Sequence, residues 1–432
     1  MNTAILFITL FAFMAIGVPV AISLGLSSLL TILLFGQDSL ASLSIKLYET
    51  SEHYTLLSIP FFILAGAMMS TGGVAKRMVR FAVAAVGHLR GGLAIASVLA
   101  CTMFAAVSGS SPATVVAIGS IVIAGMVRSG YPQPFAAGVI CNAGTLGILI
   151  PPSIVMVVYA AVTEESVGRM FMAGVVPGLV LAAMFMTYVA IYSKVSKKFD
   201  PLAEPPMSFA EKLNNSRFLI PVLSLIALVI GSMYLGLATA TEAAAFGVLG
   251  SLGLAAGQGS LNRSTFFESL MGAVRTSAMI ALILSGAAFL SLSMGFTGLP
   301  RGLADFIASL ELSRFQLLMA LLVFYIVLGC FLDGISSVVL TMAVVEPMIR
   351  QAGIDIIWFG IFIVVVVEMA QITPPIGFNL FVLQGMTRHE MNFIARAALP
   401  MFAIMVVMVF VLIAFPELAT WLPDNMRQRP GG

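Results

Sequence analysis

Phe218 to Leu235 and Leu399 to Phe415 contain no charged residue, and comparable apolar runs recur along the whole chain. About 20 such residues are what a helix needs to cross roughly 30 Å of hydrocarbon. Inside a bilayer every backbone N–H and C=O must be paired within the protein, so only helices or closed β-barrels can span it. A barrel needs segments of about 10 residues that alternate apolar and polar, and no such alternation is visible. The expected fold class is therefore an all-α polytopic membrane protein. Composition agrees, because 60% of the 432 residues are apolar and 9% are charged, against about 25% charged in soluble domains. A net charge of +2 without a long basic run gives no reason to expect a nucleic-acid partner; the partner that the composition demands is the lipid bilayer.

The first positive charge is Lys46, so the basic n-region of a cleaved signal peptide is missing and the first apolar stretch is expected to persist. Cys101, Cys141 and Cys330 fall in apolar segments with no CxxC spacing and read as small core residues. Helices are expected at 3–17, 18–36, 55–70, 91–107, 113–127, 134–162, 169–195, 217–236, 240–257, 276–293, 316–332, 337–349, 357–386 and 396–416. Residues 73–89 and 261–275 read as short basic amphipathic helices on the membrane surface. One clearly polar stretch, Lys194 to Arg217, divides the chain, which gives residues 1–200, a cytoplasmic linker at 201–216, and residues 217–432.

The two parts share landmarks in one order: Gly66 with Gly286, Thr71-Gly72 with Thr297-Gly298, Gly109 with Gly334, and Pro151-Pro152 with Pro374-Pro375. The offsets, 220, 226, 225 and 223, hold within about six residues, as an internal duplication requires. In 91–127 two apolar helices flank Ser108-Gly109-Ser110-Ser111-Pro112, and each reaches only about 24 Å. That reads as a re-entrant hairpin; 315–350, with Asp333-Gly334-Ile335-Ser336-Ser337 at its tip, reads as a second. With five crossings in the first part, the second is inverted. If the Lys-rich linker is cytoplasmic, fourteen Lys and Arg fall inside: Lys76, Arg77, Arg80, Arg90, Arg128, Lys194, Lys197, Lys198, Lys212, Arg217, Arg263, Arg275, Arg388 and Arg396. Seven fall outside: Lys46, Arg169, Arg301, Arg314, Arg350, Arg427 and Arg429. One hairpin then enters from each side and the tips approach the midplane.

Each part also has a helix interrupted by a double proline, at 134–162 and 357–386. Proline removes a backbone donor and frees carbonyls of the preceding turn. At membrane depth such carbonyls are tolerated only inside protein or beside a wet cavity, where they and nearby hydroxyls suit a hard cation such as sodium. The candidate sodium and substrate residues are Ser108, Gly109, Ser110, Ser111, Asn142, Gly144, Thr145 and Pro151 in the first part. In the second they are Asp333, Gly334, Ser336, Ser337, Gln371, Thr373, Pro374 and Asn379. Ionisable residues at membrane depth are functional suspects because burial costs each a few kcal/mol. Asp333 is expected in an ion or gating role, with a helix cap as the alternative; Glu368 serves an ion site or fixes the broken helix. Glu242, in Thr239-Ala240-Thr241-Glu242, reads as a first-turn cap with a structural or coupling part. Glu346 reads as lying near a hairpin's outer end.

His53, His88 and His389 lie in flanking loops, no phosphate-binding G-x-x-x-x-G-K-[ST] loop occurs, and no base accompanies Ser110 or Ser111. An enzyme is therefore not expected, and neither is any cofactor other than sodium as the coupling ion.

Gly17-Val18-Pro19-Val20-Ala21, Ile59-Pro60-Phe61-Phe62-Ile63-Leu64-Ala65-Gly66, the Ser-Gly-Ser-Ser-Pro tip, both double-proline segments and Thr241-Glu242-Ala243-Ala244-Ala245 resemble the large membrane subunit of tripartite ATP-independent periplasmic (TRAP) transporters. The resemblance covers essentially the whole chain. It implies a sodium symporter of the bacterial inner membrane with an elevator mechanism, in which hairpins and broken helices carry substrate against a scaffold. It further implies a small four-helix membrane subunit and a periplasmic substrate-binding protein as partners. The substrate it implies is an organic acid: a C4-dicarboxylate first, with sialic acid or another sugar or keto acid as alternatives. An autonomous sodium/dicarboxylate carrier of the divalent-anion symporter type is the rival reading.

Overall fold

The computed structural model of the chain describes residues 2–35, 41–52, 54–71, 73–196, 219–297, 302, 312–374 and 377–426. The expected linker core at 201–216, Gly72 and Gly298 of one landmark pair, Pro375, Arg427 and Arg429 lie outside the described residues. All regular structure among the described residues is helical. The first part runs α1 (Asn2–Ala15), α2 (Val20–Phe35), α3 (Ala41–Glu52), a 3₁₀ turn (Tyr54–Leu57), α4 (Ser58–Thr71), α5 (Val74–Val86), α6 (Gly92–Ser108), α7 (Ser111–Arg128), α8 (Gln133–Ala143), α9 (Leu146–Leu149), α10 (Ile154–Val162) and α11 (Val167–Val195). The second runs α12 (Ile220–Tyr234), α13 (Ala240–Gly257), α14 (Arg263–Thr297), α15 (Arg314–Gly329), α16 (Gly334–Gln351), α17 (Ile356–Ala370), α18 (Phe378–Thr387), α19 (Met391–Ala414) and α20 (Glu417–Asp424).

Among the described residues five helices, α7, α11, α13, α14 and α19, are long and apolar enough to cross a membrane, or up to seven if each of two bent pairs counts as one span. One bent pair joins Gln133–Leu149 to Ile154–Val162 at 41°, the position of the first double proline. Apolar side chains face outward along these helices, among them Leu179, Leu249, Leu282 and Leu399. Lipid tails are as apolar as leucine, so such exposure carries no penalty and helix association rests on close packing.

Two details depart from the sequence reading. Residues 261–275 and 276–293, expected as a surface helix and a separate span, form the single 35-residue α14. Nothing between them breaks a helix, since Gly272 alone only weakens it. The helix α3, with Lys46, Glu49 and Glu52, lies in a stretch not expected to be regular; it is too short to cross alone and is one arm of the other bent pair. By contrast α5, expected from its amphipathic pattern, buries Val74, Ala75, Met78, Val79 and Ala82 and packs along α6.

The helices pack in two groups. α2 and α4 lie against α14, α4 also against α13, and α12 against α13. The other group comprises α6 to α11 with α15 to α20, centred on α17, every residue of which is buried. The groups touch where α4 meets α6 and α10, where the 3₁₀ turn meets α10, where α11 meets α12, and where α14 meets α16.

Candidate functional site at two helix tips and two breaks

The tip between α6 and α7 turns at Gly109, whose φ of 60° is left-handed and unfavourable for residues with a Cβ. A Cβ there would also lie 2.6 Å from the Pro152 carbonyl oxygen. The tip is thus seated against the first double proline. Gly147 of α9 approaches from the same side, and a Cβ on it would stand 2.5 Å from the Ser110 carbonyl oxygen. Around that carbonyl the Thr114 hydroxyl donates to Ser110 O at 2.9 Å, and Ser108 Oγ is 2.9 Å from Thr114 Oγ1. Ser108, Ser111, Thr114, Asn142 and Thr145 are all buried.

Asn379, at the start of α18, reaches this tip from the second part of the chain. Its Nδ2 donates to Ser111 Oγ at 2.7 Å and to Cys141 O at 3.3 Å, while Ser111 Oγ donates to Asn379 Oδ1 at 3.0 Å. Asn142 Nδ2 donates to Gly138 O at 2.8 Å and, across to α19, to Ala398 O at 3.2 Å. Gly144, between α8 and α9, packs against Val115. Pro151 and Pro152 precede Ser153, which caps α10.

The tip between α15 and α16 is built differently. Asp333 is exposed and caps α16, accepting from Ile335 N at 3.1 Å and Ser336 N at 3.3 Å. Gly334 stands against Val367 and, 3.5 Å from where its Cβ would be, Gln371 Nε2; Val155 of α10 closes the other side at 3.9 Å. Ser336 and Ser337 are buried one turn further on. The second break follows α17: Thr373 Oγ1 donates back to Met369 O at 2.7 Å, and Asn379 N donates to Gln371 O at 3.1 Å, so the chain re-enters α18 beside the residue where α17 stopped. Pro374 stands at the edge of the described residues. Each tip therefore touches its own break and an element of the opposite part.

Glu368 is fully buried in the run Ile363 to Val367, and neither carboxylate oxygen has a hydrogen-bond partner among the described residues. The Thr145 hydroxyl lies beside it but already donates to Asn142 O at 2.7 Å. Three further buried oxygens of the candidate set are likewise unpartnered: Asn142 Oδ1, Ser337 Oγ and Gln371 Oε1. Leaving a buried polar atom unpaired costs about 1–3 kcal/mol, more for a charged one. Oxygens of this kind can be compensated by a cation or, at Glu368, by a proton on the carboxyl. Glu242 is elsewhere, in a capping box on α13, where its Oε2 accepts from Thr239 N at 2.8 Å and its own N–H donates to Thr239 Oγ1 at 3.3 Å.

Sequence reasoning missed Thr114 and Gly147. The signal for Thr114 was its place four residues after Ser110, which puts its hydroxyl on the Ser110 carbonyl. Gly147 offers none, since glycine is common in membrane helices.

A lipid-facing helical bundle whose core holds interrupted helices and uncompensated oxygens is the architecture of a membrane transport protein. A family model described as the DctM component of the tripartite ATP-independent periplasmic transporter matches residues 7–418. The chain is 47% identical over 403 residues to the C4-dicarboxylate TRAP transporter large permease protein DctM of Pseudomonas aeruginosa, covering 93% of this chain and 94% of that one. The protein of the same name from Vibrio cholerae is 44% identical, with 98% of each covered. The sialic acid TRAP transporter large permease protein SiaM of Vibrio cholerae is 28% identical, over 94% of this chain and 95% of its own. Among solved structures the Alcanivorax borkumensis YdaH transporter superposes with a TM-score of 0.61 at 15% identity, covering 90% of both chains, which is a likeness of fold. The chain belongs to the TRAP transporter large permease family, and is an integral protein of the inner membrane.

Proposed function

We propose that this chain is the sodium-coupled permease subunit for uptake of a small organic acid, a C4-dicarboxylate first. The observation that carries the sodium is the set of five buried oxygen atoms without hydrogen-bond partners on Asn142, Ser337, Glu368 and Gln371. In this reading sodium occupies a site at each tip and break, with Asn142 offering its oxygen at the first and Ser337, Gln371 and Glu368 offering theirs at the second. The dicarboxylate rests on the relatives so named, which are nearer in identity than the sialic acid relative.

In this reading the two parts of the chain are inverted repeats, and the group centred on α17 moves as an elevator past α2, α4 and α12 to α14. Substrate is handed over by a periplasmic binding protein, and a small four-helix subunit completes the membrane complex. Each net charge moved through 100 mV yields about 2.3 kcal/mol, so two would support accumulation of roughly a thousandfold or more. Sodium binding is tested on the purified complex by melting. A ligand that binds the native state alone raises stability by RT ln(1 + [L]/Kd), so sodium chloride should raise the melting temperature above that in choline chloride. Equal melting in the two salts would contradict the cation site.

A further inference from the structure

A cavity of about 420 Å³ opens between the first turns of α19 and the start of the second break, with Ile372, Thr373, Pro374, Asn392, Arg396 and Phe402 on its walls. Asn392 and Arg396 are one helical turn apart and share a face. Arg396 is exposed and makes no ion pair among the described residues, and no Asp or Glu is among the described residues on the cavity wall. The Thr373 hydroxyl already donates to Met369 O, so the side-chain donors free to act here are the guanidinium and the Asn392 amide. Two residues further along α19, Ala398, also on the cavity wall, accepts from Asn142 Nδ2 through its carbonyl. An unpaired guanidinium with a planar fork of donors is matched to a carboxylate, and the Ile372 and Phe402 side chains suit the methylenes of a short diacid.

We propose that Arg396, with Asn392, forms a carboxylate subsite at the cytoplasmic end of the second break, where a dicarboxylate leaving the permease is held by one of its carboxylates. This rests on the organic-acid reading above and adds a residue that recognises the anion. It also supplies the cation that neither tip offers.

The test is protection of a thiol placed in the cavity, Ala395→Cys, in the full chain with its small subunit in phosphatidylcholine nanodiscs. The three native cysteines of this chain are buried, and maleimide labelling above that of the unsubstituted complex reports on position 395. Succinate should slow labelling and neutral succinamide should not. Arg396→Gln should raise the half-protecting succinate concentration by about tenfold or more, as loss of a charged hydrogen-bonded pair implies, with Arg396→Lys between. Labelling indifferent to succinate, or protection that survives Arg396→Gln, overturns the subsite. Slowing by added phosphatidylglycerol with no further effect of succinate overturns it too, and identifies a lipid headgroup. Parallel uptake separates the two readings: succinate transport without protection removes the subsite and leaves the permease, whereas protection without transport does the reverse.

Discussion

Asn379 holds the first tip to the second part of the chain through Ser111 and the Cys141 carbonyl. Replacing it with leucine strands the buried Ser111 hydroxyl, so Asn379→Leu should lower stability by about 1–3 kcal/mol, read as a lower melting temperature of the purified complex. Glu368→Gln differs in kind, because the amide keeps the shape and cannot become charged. It should leave melting in choline chloride unchanged or raised, and raise the sodium concentration for half-maximal uptake by roughly tenfold, the effect of losing about 1.4 kcal/mol of cation binding. Unchanged sodium dependence would remove Glu368 from the ion site. These polar residues were legible in the sequence because each interrupts an apolar run. Their partners were not: that Asn379 meets Ser111, 268 positions away, depends on how two breaks face each other, and local pattern carries no information on that.

At the scale of elements, the tip between α6 and α7 depends on Gly109. Gly109→Ala forces a left-handed alanine into the Pro152 carbonyl and should cost about 1–3 kcal/mol; melting that matches the unsubstituted protein would refute the close packing of tip on break. The capping box of α13 is an independent control. Thr239→Ala removes the cap and should cost about 1 kcal/mol while leaving the sodium dependence of uptake untouched. Helix positions were legible wherever apolarity and breakers coincide, as at the double proline between α9 and α10. They were misread at α14, where a change from polar to apolar residues marks a change of surroundings within one helix. Apolarity reports where a residue sits relative to the membrane, and only breakers report where a helix ends.

For the whole molecule, the helices pack in two groups, one centred on the buried α17 and the other formed around α2, α4, α13 and α14, and the elevator proposed above takes these as its two bodies. Family membership covers residues 7–418, so the coupling ion, the delivery protein and the substrate are properties to be measured on the assembled complex. The most direct measurement is uptake of labelled succinate into proteoliposomes holding this chain and its small subunit, with and without an inward sodium gradient and with and without the cognate periplasmic binding protein. Accumulation that requires both the gradient and the binding protein is the predicted result; accumulation that proceeds equally without the sodium gradient would contradict the account.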